Sequence, residues 1–470
     1  MAGPVRSAFL EAVLTMLAAL STMACAYVID PEPGPLTLAV VLAYALSRSH
    51  LDRDLRGRLE AALILPMVSL AALAVGFLLL HAPWVGAVVF VAGVGFSIWV
   101  RRFGPLPRRA GALIGMPFIV ILITPYTPSR LFNPVTAALI PIAVALLALV
   151  WVAIFHALGR KARWLAPLSN EPQTNVSVGA TSSLRPIAST RMALQMMVAL
   201  AVAFAVGYSI FPERWAWVVL TAYIVNAGNQ GRLDVAYKSV LRMLGAMLGT
   251  VLALTVIVHV GTHDAFTLAM ILLAVFLGIW LRPISYAWWA LFVTLALALL
   301  QGFEGESPEK LLLLRMQEIM IGAMIGVASA WLVFPVRSRQ VLRRRIADAL
   351  ATLSEALDPG LNMRSPARFT AAIGQVESVA PAFRATRMAT RRSRNVQPAD
   401  WIDTLMNCRD PAIALIESGR SPVEVRRAIG SARKALTEPD AIQRALAELR
   451  ESLDNEGSSA APVREGFKQQ

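Results

Sequence analysis

Arg315 and Glu318 stand three residues apart within an otherwise apolar run from Leu311 to Pro335. On a helix that spacing puts both side chains on one face. A charge inside a bilayer-crossing segment costs a few kcal/mol on insertion scales, so it faces a partner or an aqueous cavity. Two chemistries suit the pair. Either Glu318 is a proton-coupling or gating carboxylate, with Arg315 favouring its ionised form or contacting an anion, or the two form a static ion pair that pins the helix. Arg242 heads a second run, Val240 to Val260, and is followed by Gly245 and Gly249 and then Thr250. Glycines four apart let two helices approach closely. Arg242 itself is either a cation that meets an organic anion at the inner mouth or a residue obeying the positive-inside rule. Asn226, Asn229 and Gln230 end a short run that begins at Trp215, with Gly228 and Gly231 among them. Such a segment is a broken helix lining a cavity or an ordinary capped exit from the membrane. Trp215, Trp217, Trp288 and Trp289 are expected in an interfacial belt.

The elements that must hold these residues are membrane spans. Of 470 residues 56% are apolar and 16% charged, against about 45–50% and 25% in a soluble chain. The apolar residues are segregated. Before and including Pro335 the chain has 22 Lys and Arg and 14 Asp and Glu; the 135 residues after it have 22 and 16, so the two parts carry +8 and +6. A span needs roughly 17–25 apolar residues, and twelve candidate runs occur: 9–29, 34–47, 61–80, 83–100, 110–124, 132–158, 192–211, 215–229, 240–260, 265–281, 285–301 and 311–335. With the N-terminus inside, the inner connectors hold 17 Lys and Arg and the outer ones only Arg130, Arg214 and Lys310. That asymmetry predicts both termini in the cytoplasm. Two cysteines on opposite sides of the boundary exclude a disulfide framework. No Walker A, HExxH, CxxC or GxSxG pattern occurs, so no enzyme and no cofactor is expected. His259 and His263 have no evident third ligand, and no metal site is expected.

Tyr27, Ile29, Pro31 and Glu32 recur as Tyr208, Ile210, Pro212 and Glu213, each shifted by 181. Val40-Val41-Leu42 and Tyr44 echo Val218-Val219-Leu220 and Tyr223, Leu51-Asp52 echoes Leu233-Asp234, and Trp151 echoes Trp331. The expected fold is therefore an all-α polytopic membrane protein of two parallel six-helix repeats with a cytoplasmic helical domain behind them. The expected boundaries are 1–160 and 191–335 for the repeats, 161–190 for a linker, 336–455 for the helical domain and 456–470 for a disordered tail. At 315 and 318 the halves differ, because the matching positions of the first are Val135 and Ala138. In the tail Leu342, Ile346, Leu350, Leu353 and Leu357 recur at helical spacing, and Ser365-Pro366, Ser421-Pro422 and Glu438-Pro439 mark helix starts. The basic clusters 337–345 and 384–394 suit an anionic leaflet better than nucleic acid.

Trp217-Val218-Val219-Leu220, Arg232 to Lys238, Arg242 with Gly245, Gly249 and Thr250, Arg282-Pro283 with Tyr286, and Arg315 with Glu318 and Gly322 before Phe334-Pro335 together resemble the membrane domain of the fusaric acid resistance family. The family includes bacterial aromatic carboxylic acid exporters and is similar to plant aluminium-activated malate transporters. The resemblance is clearest from Arg191 to Pro335. It implies a bacterial inner-membrane efflux transporter for small, often aromatic, carboxylic acids, with a periplasmic adaptor protein as a partner left open alongside a homodimer. The larger exporters place a cytoplasmic domain between the membrane halves, and 159–190 is too short to hold one. Arg242, Arg282, Arg315, Glu318, Asn226 and Asn229 form the expected transport pathway, with Gly245 and Gly249 as packing residues. Three readings stay open: a proton-coupled exporter, a passive organic-anion channel, and a scaffold acting through its cytoplasmic domain.

Overall fold

The structure, a computed structural model, describes residues 2–49, 55–123, 134–164, 188–260, 265–303, 308–360, 364–390 and 396–459. Among these no strand occurs. The chain divides into two compact units, Met1–Asn229 with Lys238–Phe334, and Gln230–Tyr237 with Pro335–Gln470.

The first unit is built from α1 (Ala2–Ile29), α2 (Pro33–Ser49), α3 (Leu55–His81), α4 (Pro83–Trp99), α5 (Pro105–Ile123), α6 (Pro134–Lys161), α7 (Ala188–Ile210), α8 (Trp215–Asn226), α9 (Arg232–Val260) from Lys238 onward, α10 (Ala265–Leu281), α11 (Tyr286–Phe303) and α12 (Pro308–Leu332). Among the described residues α1, α3, α4, α6, α7 and α9 contain stretches long and apolar enough to cross a membrane, and α5, α8, α10 and α11 contain shorter apolar stretches. Their outward faces are as apolar as their contacts. Leu63, Met67, Val88 and Leu332 are more than half exposed, which suits a surface covered by lipid. Each helix follows a run expected from the sequence, but several start well before it: α1 begins seven residues before Phe9 and α3 six before Ala61. The ninth begins eight residues before Val240, because Arg232 to Ser239 continue the helical turn despite their charges.

Four helix pairings within this unit recur when six is added to each number. α1 packs on α2 and α6, and α7 packs on α8 and α12; α2 packs on α6 as α8 does on α12; α4 packs on α5 as α10 does on α11. Across the two sets, α4 packs on α7 and α10 packs on α1.

The second unit adds α13 (Ser338–Ala356), α14 (Ala367–Glu377), α15 (Ala380–Ala389), α16 (Pro398–Asn407), α17 (Arg409–Glu417), α18 (Val423–Ala435) and α19 (Pro439–Ser459). Here the helices are amphipathic, and their apolar faces meet in one core of Leu342, Ile346, Leu353, Phe369, Trp401, Ile402 and Leu449. The helix starts expected after Ser365, Ser421 and Glu438 are present at α14, α18 and α19. The disordered tail expected from Glu456 is contradicted over 456–459, where α19 continues through Ser459; residues 460–470 lie outside the described ones. Cys408 is fully buried with its Sγ 3.3 Å from the Thr404 carbonyl. Burial pushes its thiol up to about 12, so it is a packing residue at neutral pH.

Asp403 accepts two hydrogen bonds from Arg384, at 3.0 and 2.7 Å, and lies 2.8 Å from Arg387. Burial raises its pKa, but the arginine hydrogen bonds outweigh that and hold it below the usual carboxylate value. A depressed folded pKa stabilises the domain above about pH 4 and loses that contribution as pH falls through the folded value. The side chains are about a third exposed, so the gain is on the order of 1 kcal/mol or less per pair. Asp403→Asn is expected to flatten the acid limb of stability. Hydrogen exchange of α15 and α16 amides in the full chain, corrected for intrinsic rates, measures it.

Candidate functional site

α8 has 12 residues, or about 18 Å at 1.5 Å per residue, short of a bilayer core of about 30 Å. It is sheathed by protein along its length: Trp217 to Ala222, Val225 and Asn226 are all buried. Gly322 and Gly326 of α12 allow the closest contact. A Cβ on Gly322 would lie 2.6 Å from the Val218 carbonyl oxygen, and one on Gly326 would lie 2.9 Å from Asn226 Nδ2. One turn before Gly322, this approach sets Glu318 against the start of α8, where Arg214 is the N-cap residue. Arg214 Nε donates to Glu318 Oε1 at 2.9 Å, with the carboxylate fully buried and Arg214 19% exposed. Arg315 is also buried, with its guanidinium 4.2 Å from the centroid of the Trp217 ring. A desolvated cation over indole is worth about 2 kcal/mol. The expected pair is thus part of a group of four, in which Arg214 and Trp217 come from elsewhere in the chain. Trp217 leaves the expected belt, because a 5% exposed ring under a guanidinium serves the cation and not the interface. Trp288 keeps an exposed position at 45%.

Arg242 lies ten residues inside α9, about 15 Å from its start, and has no solvent exposure. It does not open the span; the span begins earlier and carries it inward. Nη1 donates to Thr294 Oγ1 of α11 at 3.0 Å. Among the described residues Nε and Nη2 are buried without a hydrogen-bond partner. The glycines behind it explain how α11 comes so close. A Cβ on Gly245 would lie 2.8 Å from Ala290 Cβ and one on Gly249 would lie 2.5 Å from the Leu291 carbonyl oxygen. Helix propensity alone favours alanine over glycine by about 1 kcal/mol, whereas this clash opposes it by about 1–3 kcal/mol. Gly249→Ala is therefore expected to lower the thermal midpoint of the purified protein. Gly374→Ala in α14, where nothing lies within 4 Å of the added methyl, is expected to raise stability or leave it unchanged in the same assay.

Arg282 follows α10, donates to the Tyr44 hydroxyl and sits 5.2 Å from the Trp289 ring centroid. Asn226 Nδ2 donates to the Ala222 carbonyl at 3.0 Å, and its Oδ1 is buried without a partner among the described residues. Asn229 belongs to a tie: its Nδ2 donates to Gln195 Oε1 at 3.3 Å, and Gln195 Nε2 donates to the carbonyls of Val333 at 2.8 Å and Phe334 at 3.2 Å. Of the expected pathway residues the structure sets Arg315 and Glu318 of α12 against Trp217 and Arg214 at the head of α8, places Arg242 on α9 with Gly245 and Gly249, and puts Asn229 in that chain. The side chain of His259 and the whole of His263 lie outside the described residues. Arg214 escaped the sequence reading as one of three outer cations, although an arginine at the head of a span too short to cross was the available signal.

Apolar helices with exposed apolar faces and charges buried between them define a polytopic all-helical membrane protein. Residues 196–329, from α7 into α12, match the family model described as fusaric acid resistance protein-like. The matched segment contains Arg242, Arg282, Arg315, Glu318, Asn226 and Asn229. No curated protein and no solved structure matches the chain.

Proposed function

We propose that the chain is a proton-coupled exporter of small, often aromatic, carboxylic acids in a bacterial inner membrane, with both termini cytoplasmic. The observation that carries this reading is Arg242, a guanidinium wholly buried in a span with two of its nitrogens unpartnered among the described residues. Leaving such a cation in place costs several kcal/mol unless an anion meets it for part of the cycle. The pairing of helices that recurs on adding six supports two parallel six-helix repeats. Without Arg242, 16 inner against three outer basic residues support the orientation and draw ionised acids to the inner face. The family match supports efflux.

In this reading the carboxylate meets Arg242 and leaves past the group at the head of α8. Ionised Glu318 holds Arg214 there and closes the path. A proton arriving from outside neutralises Glu318, releases Arg214 and opens it; loss of that proton toward the cytoplasm restores the ion pair. One proton thus moves inward as one carboxylate moves outward.

The test is flux of a panel of aromatic and aliphatic carboxylates in proteoliposomes, with and without an imposed pH gradient. Flux of any member that rises with the gradient is the expected result. Equal flux with and without the gradient replaces the exporter by a channel. A chain lacking Arg337 to Gln470 is expected to retain flux, which excludes a pure scaffold, whereas no flux of any member by the full chain favours the scaffold.

A further inference from the structure

A cavity of about 270 Å³ lies between α1, α2 and the end of α10, and its lining includes neither Arg242 nor Glu318. Its polar wall is formed by Glu11 and Thr15 of α1, Tyr44 and Arg48 of α2, and Arg282. The volume is slightly below the range of drug-sized pockets, which suits a small ligand. The Tyr44 hydroxyl accepts hydrogen bonds from both arginines, from Arg48 Nη1 at 3.2 Å and from Arg282 Nη1. Two guanidiniums are therefore held against one neutral oxygen. Like charges at that separation repel, and the arrangement calls for negative charge within the cavity. Glu11 supplies one such charge, and two guanidiniums against one carboxylate leave the wall with a surplus of one positive charge.

The wall is also fixed. Thr15 Oγ1 donates to the Glu11 carbonyl at 2.8 Å and lies 2.6 Å from Ser47 Oγ, which lies 2.9 Å from His156 Nε2. Because the Thr15 proton goes to the carbonyl, Ser47 donates to Thr15 and accepts from the Nε2–H of His156. This buried chain ties α1, α2 and α6 together behind the cavity.

From the surplus charge, the shared phenol oxygen and the single carboxylate, we propose that this cavity binds a small monocarboxylate that also carries a hydrogen-bond donor such as an amino group. Its carboxylate bridges Arg48 and Arg282, and its donor meets Glu11, which when ionised can only accept. The proposal rests on the reading that organic acids are the substrates, and narrows that class to acids with a donor opposite the carboxylate. It assigns Glu11, Tyr44 and Arg48 to ligand binding alongside Arg282.

The experiment is calorimetric titration of the purified full-length protein in detergent with 4-aminobenzoate and with benzoate. 4-Aminobenzoate is expected to bind about tenfold or more tightly than benzoate, the scale of one hydrogen bond to a charged group. Glu11→Met is expected to collapse that difference, and Arg48→Gln to weaken both ligands by about tenfold or more. Tyr44→Phe, which keeps the ring and removes the oxygen holding both guanidiniums, serves as the second variant and is expected to weaken both. Equal binding of the two acids by the wild-type protein, binding of neither, or binding indifferent to a folded Arg48→Gln overturns the site. Binding needs no gradient, so binding without gradient-driven flux retains this site and removes the exporter reading, and flux without binding does the reverse.

Discussion

Arg242→Gln is expected to reduce carboxylate flux by about 10- to 150-fold, the range of a charge-assisted hydrogen bond worth about 1.5–3 kcal/mol. Arg242→Met is expected to reduce flux at least as much while leaving the thermal midpoint unchanged or raised. The opposite signs follow from burial. A guanidinium with no solvent exposure and, among the described residues, one hydrogen bond, to Thr294, carries a desolvation cost that an apolar side chain of similar volume does not. A purely structural arginine would lose stability and flux together. Arg242→Lys keeps the charge but loses the planar fork, so intermediate flux is expected. Flux in proteoliposomes and thermal unfolding in detergent measure the two quantities on the same preparations.

The second large effect concerns the head of α8. Glu318→Gln leaves Arg214 facing an uncharged amide in a buried site, and removal of one member of a buried pair typically costs about 3–5 kcal/mol. Arg214 retains some exposure, which places the expected loss toward the lower end. Arg214→Met in the same chain is expected to restore part of it, so the double variant is less destabilised than the sum of the single ones, by about 0.5–3 kcal/mol. Thermal unfolding of the four proteins completes the cycle. Flux by Glu318→Gln is expected to lose its dependence on the pH gradient, and retention of that dependence assigns the coupling proton elsewhere.

Most of the helix order was legible because it depends on run length and on turn residues. α4 begins at Pro83 and α10 at Ala265, where the sequence places them, and Pro366, Pro422 and Pro439 mark the starts of tail helices. α9 shows the limit. Arg232, Asp234 and Lys238 look like a connector by charge, yet the helix runs through them, and Arg242 is carried from a flank into the interior. Spacing placed Arg315 and Glu318 on one face, since that is a property of one helix. Their contacts with Arg214 and Trp217 span about 100 residues of sequence and depend on Gly322 admitting α8, which no local pattern encodes. Glu11 was readable by the rule that singled out Glu318, a carboxylate inside an apolar run. Its neighbours Arg48 and Arg282 resemble ordinary flanking cations until Tyr44 is seen between them.

The most direct measurement is the rate of efflux of a radiolabelled aromatic carboxylate from proteoliposomes under an imposed pH gradient, comparing the wild-type chain with Arg242→Gln at matched protein incorporation. Gradient-dependent efflux by the wild type, reduced about tenfold or more in the folded variant, is the result expected of an exporter that handles its anion at a buried guanidinium. Equal, gradient-dependent efflux by both proteins contradicts the role of Arg242, and wild-type efflux that ignores the gradient contradicts proton coupling.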